Sequence, residues 1–216
     1  VLRSSDVIPF TNEGNEKLLK LEHIVHLINL REVRIGVGHV QDLKRIEEGI
    51  LAPLVNMRLL KIDNFNDDES VLPHLSEKML AMKDHLEILH LERFAVPAWV
   101  CDFSNLVQLR LWKCHCAGYP ALEEMPNLKV LQMIGNSKYR VLPEGFGKPM
   151  GFPQLRYLEI VEFEVLEELP ELEEGAMPRL EKLRVNLCPN VKKVPHGLDL
   201  LKCLKECKFR RTGANN

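Results

Sequence analysis

The sequence predicts an α/β solenoid, in which short repeats stack along one axis and each contributes a strand to a parallel sheet. The first observation is a pattern, apolar-x-x-apolar-x-apolar, that returns across nearly all of the 216 residues. The second is its spacing, because successive copies begin 20 to 29 residues apart. The third is a proline shortly before several copies, which disfavours a helix at those points. The eight copies are Leu30-Val33-Ile35, Met57-Leu60-Ile62, Leu86-Leu89-Leu91, Leu106-Leu109-Leu111, Leu128-Leu131-Met133, Leu155-Leu158-Ile160, Leu180-Leu183-Val185 and Leu204-Cys207-Phe209.

A spacing of this size is the period of leucine-rich repeats, whose units run from roughly 20 to 29 residues. The last two apolar positions of each copy are two residues apart, as in a strand that buries one side. One repeat cannot bury its apolar face alone, so stacked repeats share a continuous core. We therefore expect a leucine-rich-repeat horseshoe of about eight irregular repeats. Its parallel strands should lie on the concave face, with short helices and loops on the convex face.

Helices are expected where the connecting segments are longest. Residues 40–51 and 70–83 place apolar side chains at helical spacing. Residues 16–28 do the same and are placed to cap the first repeat. The shorter repeats leave little room for a helix, and their prolines indicate extended or turn-like crossings instead.

The whole chain, 1–216, is expected to be a single domain. Within it we predict a helical capping segment in 1–29, the repeats in 30–211 and a polar tail in 212–216. Because the first residue is Val1 rather than methionine, we expect the chain to be a fragment of a larger protein.

The position eight residues after the start of each copy adds a second expectation. Regular repeats carry Asn or Cys there, because the buried side chain satisfies backbone groups of the turn. Only three copies fit, and three others carry phenylalanine, so we expect an irregular array with an apolar phenylalanine spine. In chain order the residues are Gly38, Phe65, Phe94, Cys114, Asn136, Phe163, Cys188 and Thr212.

Composition narrows the class of protein. Hydrophobic residues make up 45% and charged residues 28% of the chain, an ordinary globular mixture. Its 29 Lys and Arg are balanced by 31 Asp and Glu, so it lacks the overall basic charge of a nucleic-acid-binding domain. Uncharged stretches are too short to span a bilayer, and six cysteines are too few for a disulfide scaffold. We therefore expect no nucleic-acid partner and no membrane segment.

The outward-facing residues of the predicted strands should form columns, because side chains alternate along each strand and the strands pair in parallel. Apolar residues in these columns are not needed for the core, yet several occur on three adjacent strands. An exposed apolar patch with an aromatic centre and charged surroundings is typical of a protein contact. Strand propensity alone, or a loop covering the patch, is the alternative explanation. The candidate partner-binding residues are Arg110, Trp112, Val130, Gln132, Ile134, Tyr157, Glu159 and Val161.

The middle column also predicts a polarised face. Arg34, Lys61 and Arg110 are basic, whereas Glu159 and Glu162 lie further along the array. Such a charge distribution would contribute to orientation and encounter rate more than to affinity.

Motifs for catalysis and metal binding are incomplete in this sequence. Gly145–Pro149 lacks the Ser/Thr and the longer glycine spacing of a phosphate loop. Cys114–Cys116 lacks a second pair of zinc ligands, and His23 and His26 lack a third ligand. We therefore expect no enzyme activity, no metal and no cofactor in this domain. The acidic run 162–174 is interpreted as a solvated loop, with an acidic contact surface as the alternative.

Several runs of sequence carry a family resemblance. They are Val-Pro-Ala-Trp-Val at 96–100, Asn-Leu-Val-Gln-Leu-Arg-Leu at 105–111, Met-Pro-Asn-Leu-Lys-Val-Leu at 125–131, Glu-Gly-Ala-Met-Pro-Arg-Leu at 174–180 and Cys-Pro-Asn-Val at 188–191. These runs resemble the leucine-rich-repeat region of plant intracellular immune receptors, the coiled-coil-type nucleotide-binding disease resistance proteins. Nothing in the chain resembles the nucleotide-binding module or the coiled coil of that family.

The resemblance implies a function and a set of partners. The domain would be a cytoplasmic recognition module of a larger receptor that contacts its own nucleotide-binding domain in cis and restrains that switch. It would sense a pathogen effector or a guarded host protein. ADP or ATP would be bound only by the separate nucleotide-binding domain. The alternative is a stand-alone leucine-rich-repeat adaptor, such as the substrate-recognition subunit of a ubiquitin ligase, which would need an F-box-like helical segment that we do not find.

Overall fold

The computed structural model describes residues 7–10, 31–38, 47, 51, 54–65, 76–116, 121–135 and 138–210. In this part of the chain, eleven strands are present, and nine of them form one parallel sheet. The strands are β1 (Val7–Phe10), β2 (Glu32–Val37), β3 (Leu59–Asn64), β4 (Ile88–Glu92), β5 (Ala95–Val96), β6 (Gln108–Trp112), β7 (His115–Cys116), β8 (Val130–Ile134), β9 (Tyr157–Val161), β10 (Lys182–Asn186) and β11 (Glu206–Arg210).

The strand order of the large sheet follows the chain, β1-β2-β3-β4-β6-β8-β9-β10-β11. Every neighbouring pair is parallel, so each connection crosses to the other side of the array and returns. The two remaining strands, β5 and β7, pair with each other in a small parallel ribbon just beyond β4 and β6. This is the architecture expected of a repeat solenoid, because each repeat contacts mainly its two neighbours.

The predicted leucine positions build the core. In β4, β6, β8 and β9 the second and fourth residues are buried, while the first, third and fifth lie on the opposite face. Burying a leucine side chain stabilises the fold by about 1.5–3 kcal/mol, and the stack repeats that contribution at every strand. The largest fully buried aromatic side chains are Phe94, Phe103, Phe146, Phe152 and Phe163.

On the side of the array opposite the large sheet, the described residues form short 3₁₀ helices. Two of them begin directly after Pro97 and Pro143, where the prolines predict extended or turn-like crossings, so these two crossings contain a short helix that was not expected. These helices are three to six residues long, which leaves room for a strand and two connections in each repeat. The 3₁₀ helices are Glu77–Met82, Ala98–Asp102, Leu122–Glu124, Glu144–Gly147 and Leu198–Leu200.

The predicted convex helices have different outcomes. The segment 16–28 lies outside the described residues, and most of 40–51 does as well. Of 70–83, the described part contains the 3₁₀ helix Glu77–Met82, which buries Met79 and Met82 against the core.

Strand β1 corrects the expected boundary of the repeats. The repeat pattern places the first strand after residue 29, and a helical capping segment is expected before it. The structure instead pairs β1 in parallel with β2, with Ile8 opposite Ile35. The pattern search misses this strand because the chain around it lacks the apolar-x-x-apolar-x-apolar spacing. The sheet therefore extends one strand beyond the predicted array.

A left-handed residue follows five successive strands of the large sheet. The residue after β4, β6, β8, β9 and β10 has a positive φ of 51–68°, and its N–H donates to a carbonyl of the next repeat. This turn breaks the alternation of the strand, so the next residue is buried at four of the five turns, as Phe94, Cys114, Phe163 and Cys188. The fifth, Asn136, lies outside the described residues. The five left-handed residues are Arg93, Lys113, Gly135, Glu162 and Leu187.

The predicted phenylalanine spine is only partly correct. Phe94 and Phe163 follow left-handed residues and are fully buried, but Phe65 is 52% exposed. Strand β3 continues one residue further without a left-handed turn, so alternation points Asn64 inward and Phe65 outward. Asn64 is fully buried and its Nδ2 donates to the carbonyl of Arg93 at 3.1 Å. The asparagine position is therefore filled one residue earlier than the pattern predicts.

The cysteines of the same position behave as predicted. The Sγ of Cys114 lies 3.3 Å from the carbonyl oxygen of Leu91, and the Sγ of Cys188 lies 3.2 Å from that of Asn186. Burial raises the pKa of the Cys188 thiol, so it stays protonated and can donate to the turn. By contrast, Cys207 is exposed, although its place in the pattern predicts a core position.

The candidate interaction surface on the concave face

The face of the sheet opposite the core carries three columns of side chains, and we call it the concave face. The strand register aligns the third residue of each strand from β4 to β10, so that His90 is opposite Arg110 and Gln132 is opposite Glu159. The columns are those derived from the sequence pattern. All eight candidate residues therefore lie on the concave face of three adjacent strands, β6, β8 and β9.

Two apolar rows cross these three strands. One consists of Trp112, Ile134 and Val161, which are register partners on successive strands. The other pairs Val130 with Tyr157, two columns away. Trp112 is 38% exposed and the other four side chains are half-buried by their neighbours. The apolar area therefore remains open at the surface and is not part of the core.

A polar row lies between the two apolar rows. The Nε2 of Gln132 donates to the Oε2 of Glu159 at 2.6 Å, and Glu159 also hydrogen-bonds the hydroxyl of Tyr157. Burial and that carboxylate raise the pKa of Tyr157 to about 12, so its hydroxyl stays protonated. The guanidinium of Arg110 lies 5.4 Å from the centre of the Trp112 ring. These contacts hold the aromatic rings in place before any partner binds.

Arg184 belongs to the same surface, although it is not among the candidate partner-binding residues predicted from the sequence. Its guanidinium lies 5.5 Å from the centre of the Tyr157 ring and bonds Glu206 at 3.2 Å. A groove of about 410 Å³ beside Tyr157 and Arg184 is also lined by Arg156, Glu181 and Lys182. Arg184 could have been identified from the strand register, because the register places this cation one strand away from Tyr157 and Glu159.

The candidate surface also has an apolar neighbour at its edge. Leu187, the left-handed residue after β10, is 38% exposed. The sequence pattern assigns no role to that position, because the pattern does not record where a strand turns.

His90 lies at the basic end of the middle column and gives a testable pH dependence. Burial lowers its pKa, and so do the nearby charges of Arg110, Lys61 and Arg34, while Asp63 acts in the opposite direction. The folded chain thus binds this proton less tightly than the unfolded chain, whose histidine pKa is near 6.5. Stability should therefore fall as pH drops through this range.

Replacing His90 by glutamine should reduce that loss of stability between about pH 7 and pH 5. The measurement is the free energy of unfolding in urea at several pH values for both proteins. His85→Gln is the control, because His85 is an exposed histidine of the same repeat. Parallel pH curves for the original chain and His90→Gln would contradict the assignment.

The described residues hold no group of three or more His, Cys, Asp or Glu side chains that could bind a metal ion. Among the helices that the structure describes, none has the length and apolar character needed to cross a membrane.

A parallel one-layer sheet with side chains in register and short 3₁₀ helices behind it defines a leucine-rich-repeat solenoid. The predicted fold class is therefore confirmed. A family model described as a leucine-rich repeat region matches residues 8–215, and the chain belongs to that family.

The curated relatives include disease resistance proteins and a disease susceptibility protein of Arabidopsis thaliana. The chain is 34% identical to the disease susceptibility protein LOV1 over 219 aligned residues, which cover 95% of the chain and 22% of LOV1. It is 29% identical to the probable disease resistance RPP8-like protein 2, covering 89% of the chain and 23% of that protein. It is 30% identical to the probable disease resistance protein RF45, covering 85% and 18%. No solved structure matches the chain.

The chain spans about a fifth of the length of these relatives. The resemblance to the leucine-rich-repeat region of plant disease resistance proteins, inferred above from the sequence runs, is confirmed.

Proposed function

We propose that this domain is the protein-recognition module of a plant intracellular immune receptor, and that Trp112, Tyr157 and their neighbours on β6, β8 and β9 form its contact surface. The observation that carries the proposal is an aromatic and apolar surface on an open sheet face, where burial in the core does not require it. Aromatic side chains beside arginine are favoured at the centre of protein interfaces. The names of the relatives, disease resistance proteins, supply the biological setting.

The proposed mechanism is a competition between two states of a receptor. The concave face contacts the nucleotide-binding domain of the same polypeptide and stabilises its inactive state. A pathogen effector, or a host protein that the effector modifies, binds the same array and shifts the equilibrium toward the active state. Such a ligand acts only through its difference in affinity for the two states. The domain itself needs no cofactor and performs no chemistry in this scheme, and it acts in the cytoplasm.

The contact surface is tested by Trp112→Ala and Tyr157→Ala. Each is expected to weaken binding to the nucleotide-binding domain of the native polypeptide by about tenfold or more, because central aromatic residues carry most interface energy. Binding is measured with the two domains expressed separately and mixed. Phe65→Ala is the matched control, since Phe65 is an exposed aromatic residue outside the patch. Normal binding by both patch variants would disprove the assignment of the surface.

The size of the native protein separates the receptor from an adaptor. An antibody to this segment should detect a polypeptide several times larger than 24.9 kDa in extracts of the source plant. A native protein near 24.9 kDa would contradict the receptor proposal and favour the stand-alone adaptor.

A further inference from the structure

Four side chains that can carry positive charge form a continuous row at one end of the concave face. Arg34, Lys61, His90 and Arg110 are register partners on β2, β3, β4 and β6. Adjacent strands are about 4.8 Å apart, so the row extends over roughly 14 Å. We call these four residues the basic row.

The basic row has few carboxylate partners within the described residues. Lys61 bonds Asp63 at 2.9 Å, and no ion pair joins Arg34 or Arg110 to a described carboxylate. The flanking columns also carry Glu32 and Glu92, neither of which is ion-paired with the row.

The other end of the same face is organised differently. There, three cations surround a single acid, because Lys182, Arg184 and Lys208 lie 3.9, 3.2 and 2.7 Å from carboxylate oxygens of Glu206. Charge at that end is partly satisfied inside the protein. The two ends therefore differ in how their cations are paired, because Lys182, Arg184 and Lys208 share a carboxylate whereas Arg34 and Arg110 have no described one.

The surroundings of the basic row favour a protein over another polyanion. Leu59 and Ile88 occupy the neighbouring column beside Lys61 and His90, and both are half-buried on the open face. An occupant that buries them must offer apolar groups next to its negative charges. Amphipathic protein segments do so, whereas a nucleic-acid backbone does not.

We propose that the basic row binds an acidic α-helix of a partner protein, with carboxylates on one helical face and apolar residues beside them. The spacing supports a helix over an extended segment. Residues three or four apart on a helix are separated by about 4.5–6 Å along its axis, close to the spacing of the strands. Alternate residues of an extended chain are about 6.6 Å apart and lose register along the row. The inference rests on the proposed function, since it extends the same recognition surface.

The test uses synthetic helical peptides and the 216-residue chain. The first peptide has an alanine-based helix with glutamates at positions i, i+3, i+7 and i+10 and leucines beside them. The second has the same composition with the glutamates distributed around the helix. The third replaces each glutamate of the stripe by lysine. Affinities are measured by fluorescence anisotropy at low ionic strength and again at about 0.3 M salt, where exposed charges are strongly screened.

The striped acidic peptide should bind about tenfold more tightly than the scrambled one, and the added salt should weaken it. The lysine peptide should not bind. The double variant Arg34→Gln/Lys61→Gln should lose about tenfold in affinity for the striped peptide. Lys182→Gln/Lys208→Gln is the matched control, because it removes two positive charges from the other end of the same sheet. Circular dichroism checks that both double variants remain folded.

Equal affinity for the striped and scrambled peptides, equal losses in the two double variants, or no binding would overturn the basic row as a helix site. Tighter binding of a single-stranded oligonucleotide through Arg34 and Lys61 would overturn a protein as its occupant. Failure here is distinguishable from failure of the proposed function. Trp112→Ala can weaken binding of the nucleotide-binding domain while the peptides show no preference, and the reverse result is also possible.

Discussion

Replacing Phe163 by alanine is expected to lower the free energy of unfolding by about 3–5 kcal/mol. Its ring is fully buried and sits behind the left-handed turn at Glu162. Removing the ring leaves a cavity between two repeats that can collapse only partly, because the strands on either side are fixed by their backbone hydrogen bonds. The measurement is urea unfolding followed by circular dichroism and by tryptophan fluorescence. Coincident transitions would justify a two-state analysis.

Phe65→Ala is the matched control for this experiment, since both residues follow the start of a repeat by eight positions. Phe65 is 52% exposed and its ring lies against Gly36, so we expect a cost below about 1 kcal/mol. Phe94→Ala should resemble Phe163→Ala, because Phe94 is also fully buried. Similar losses in Phe65→Ala and Phe163→Ala would show that the strand after Lys61 turns as the later strands do, against the structure.

Gly197→Ala should destabilise the chain by about 3 kcal/mol or more. Gly197 has a φ of +84°, which L side chains rarely adopt, and a Cβ at this position would overlap the carbonyl oxygen of Leu172. That oxygen belongs to the backbone of the preceding repeat. The N–H of the same residue, Leu172, donates to the carbonyl of His196 at 3.0 Å and so holds the two repeats together. The overlap can therefore be relieved only by moving the two repeats apart.

Gly175 provides a control with nearly the same backbone conformation. Its φ is +86°, but the atom nearest to an added Cβ is the Cβ of Pro149, at 3.9 Å. Gly175→Ala should cost only about 1 kcal/mol, the penalty for a left-handed alanine. The difference between the two variants, measured by urea unfolding, isolates the steric term. Equal losses would mean that backbone conformation alone accounts for Gly197.

The columns of the concave face were predictable from the sequence because they depend on only two regularities. Leucines at fixed positions mark each strand, and alternation then places the residue between them, such as Arg110 or Glu159, on the opposite face. The parallel register then aligns these residues from strand to strand, and it holds throughout the large sheet from β2 to β11. The partner-binding role of these residues stays a prediction.

The features that the sequence did not predict depend on backbone turns and on side-chain reach. Phe65 and Phe163 have the same position in the pattern, but only a left-handed residue at 162 turns the second one inward. Nothing in a pattern of apolar positions records that turn, since four of the five left-handed residues are not glycine. The contact of Arg184 with Tyr157 likewise depends on how far a long side chain extends across a strand.

The common register has a consequence for how such a surface can change over generations. Each strand is aligned residue for residue with the next. Loss or duplication of one whole repeat by unequal recombination would therefore leave the pairing of the remaining strands in register. Such an event between Lys61 and Trp112 would nevertheless move these two residues closer together or further apart by one strand spacing, about 4.8 Å. Recombination could thus change the distance between Lys61 and Trp112 in whole steps, although loss of the repeat that carries β4 would also remove His90 from the basic row.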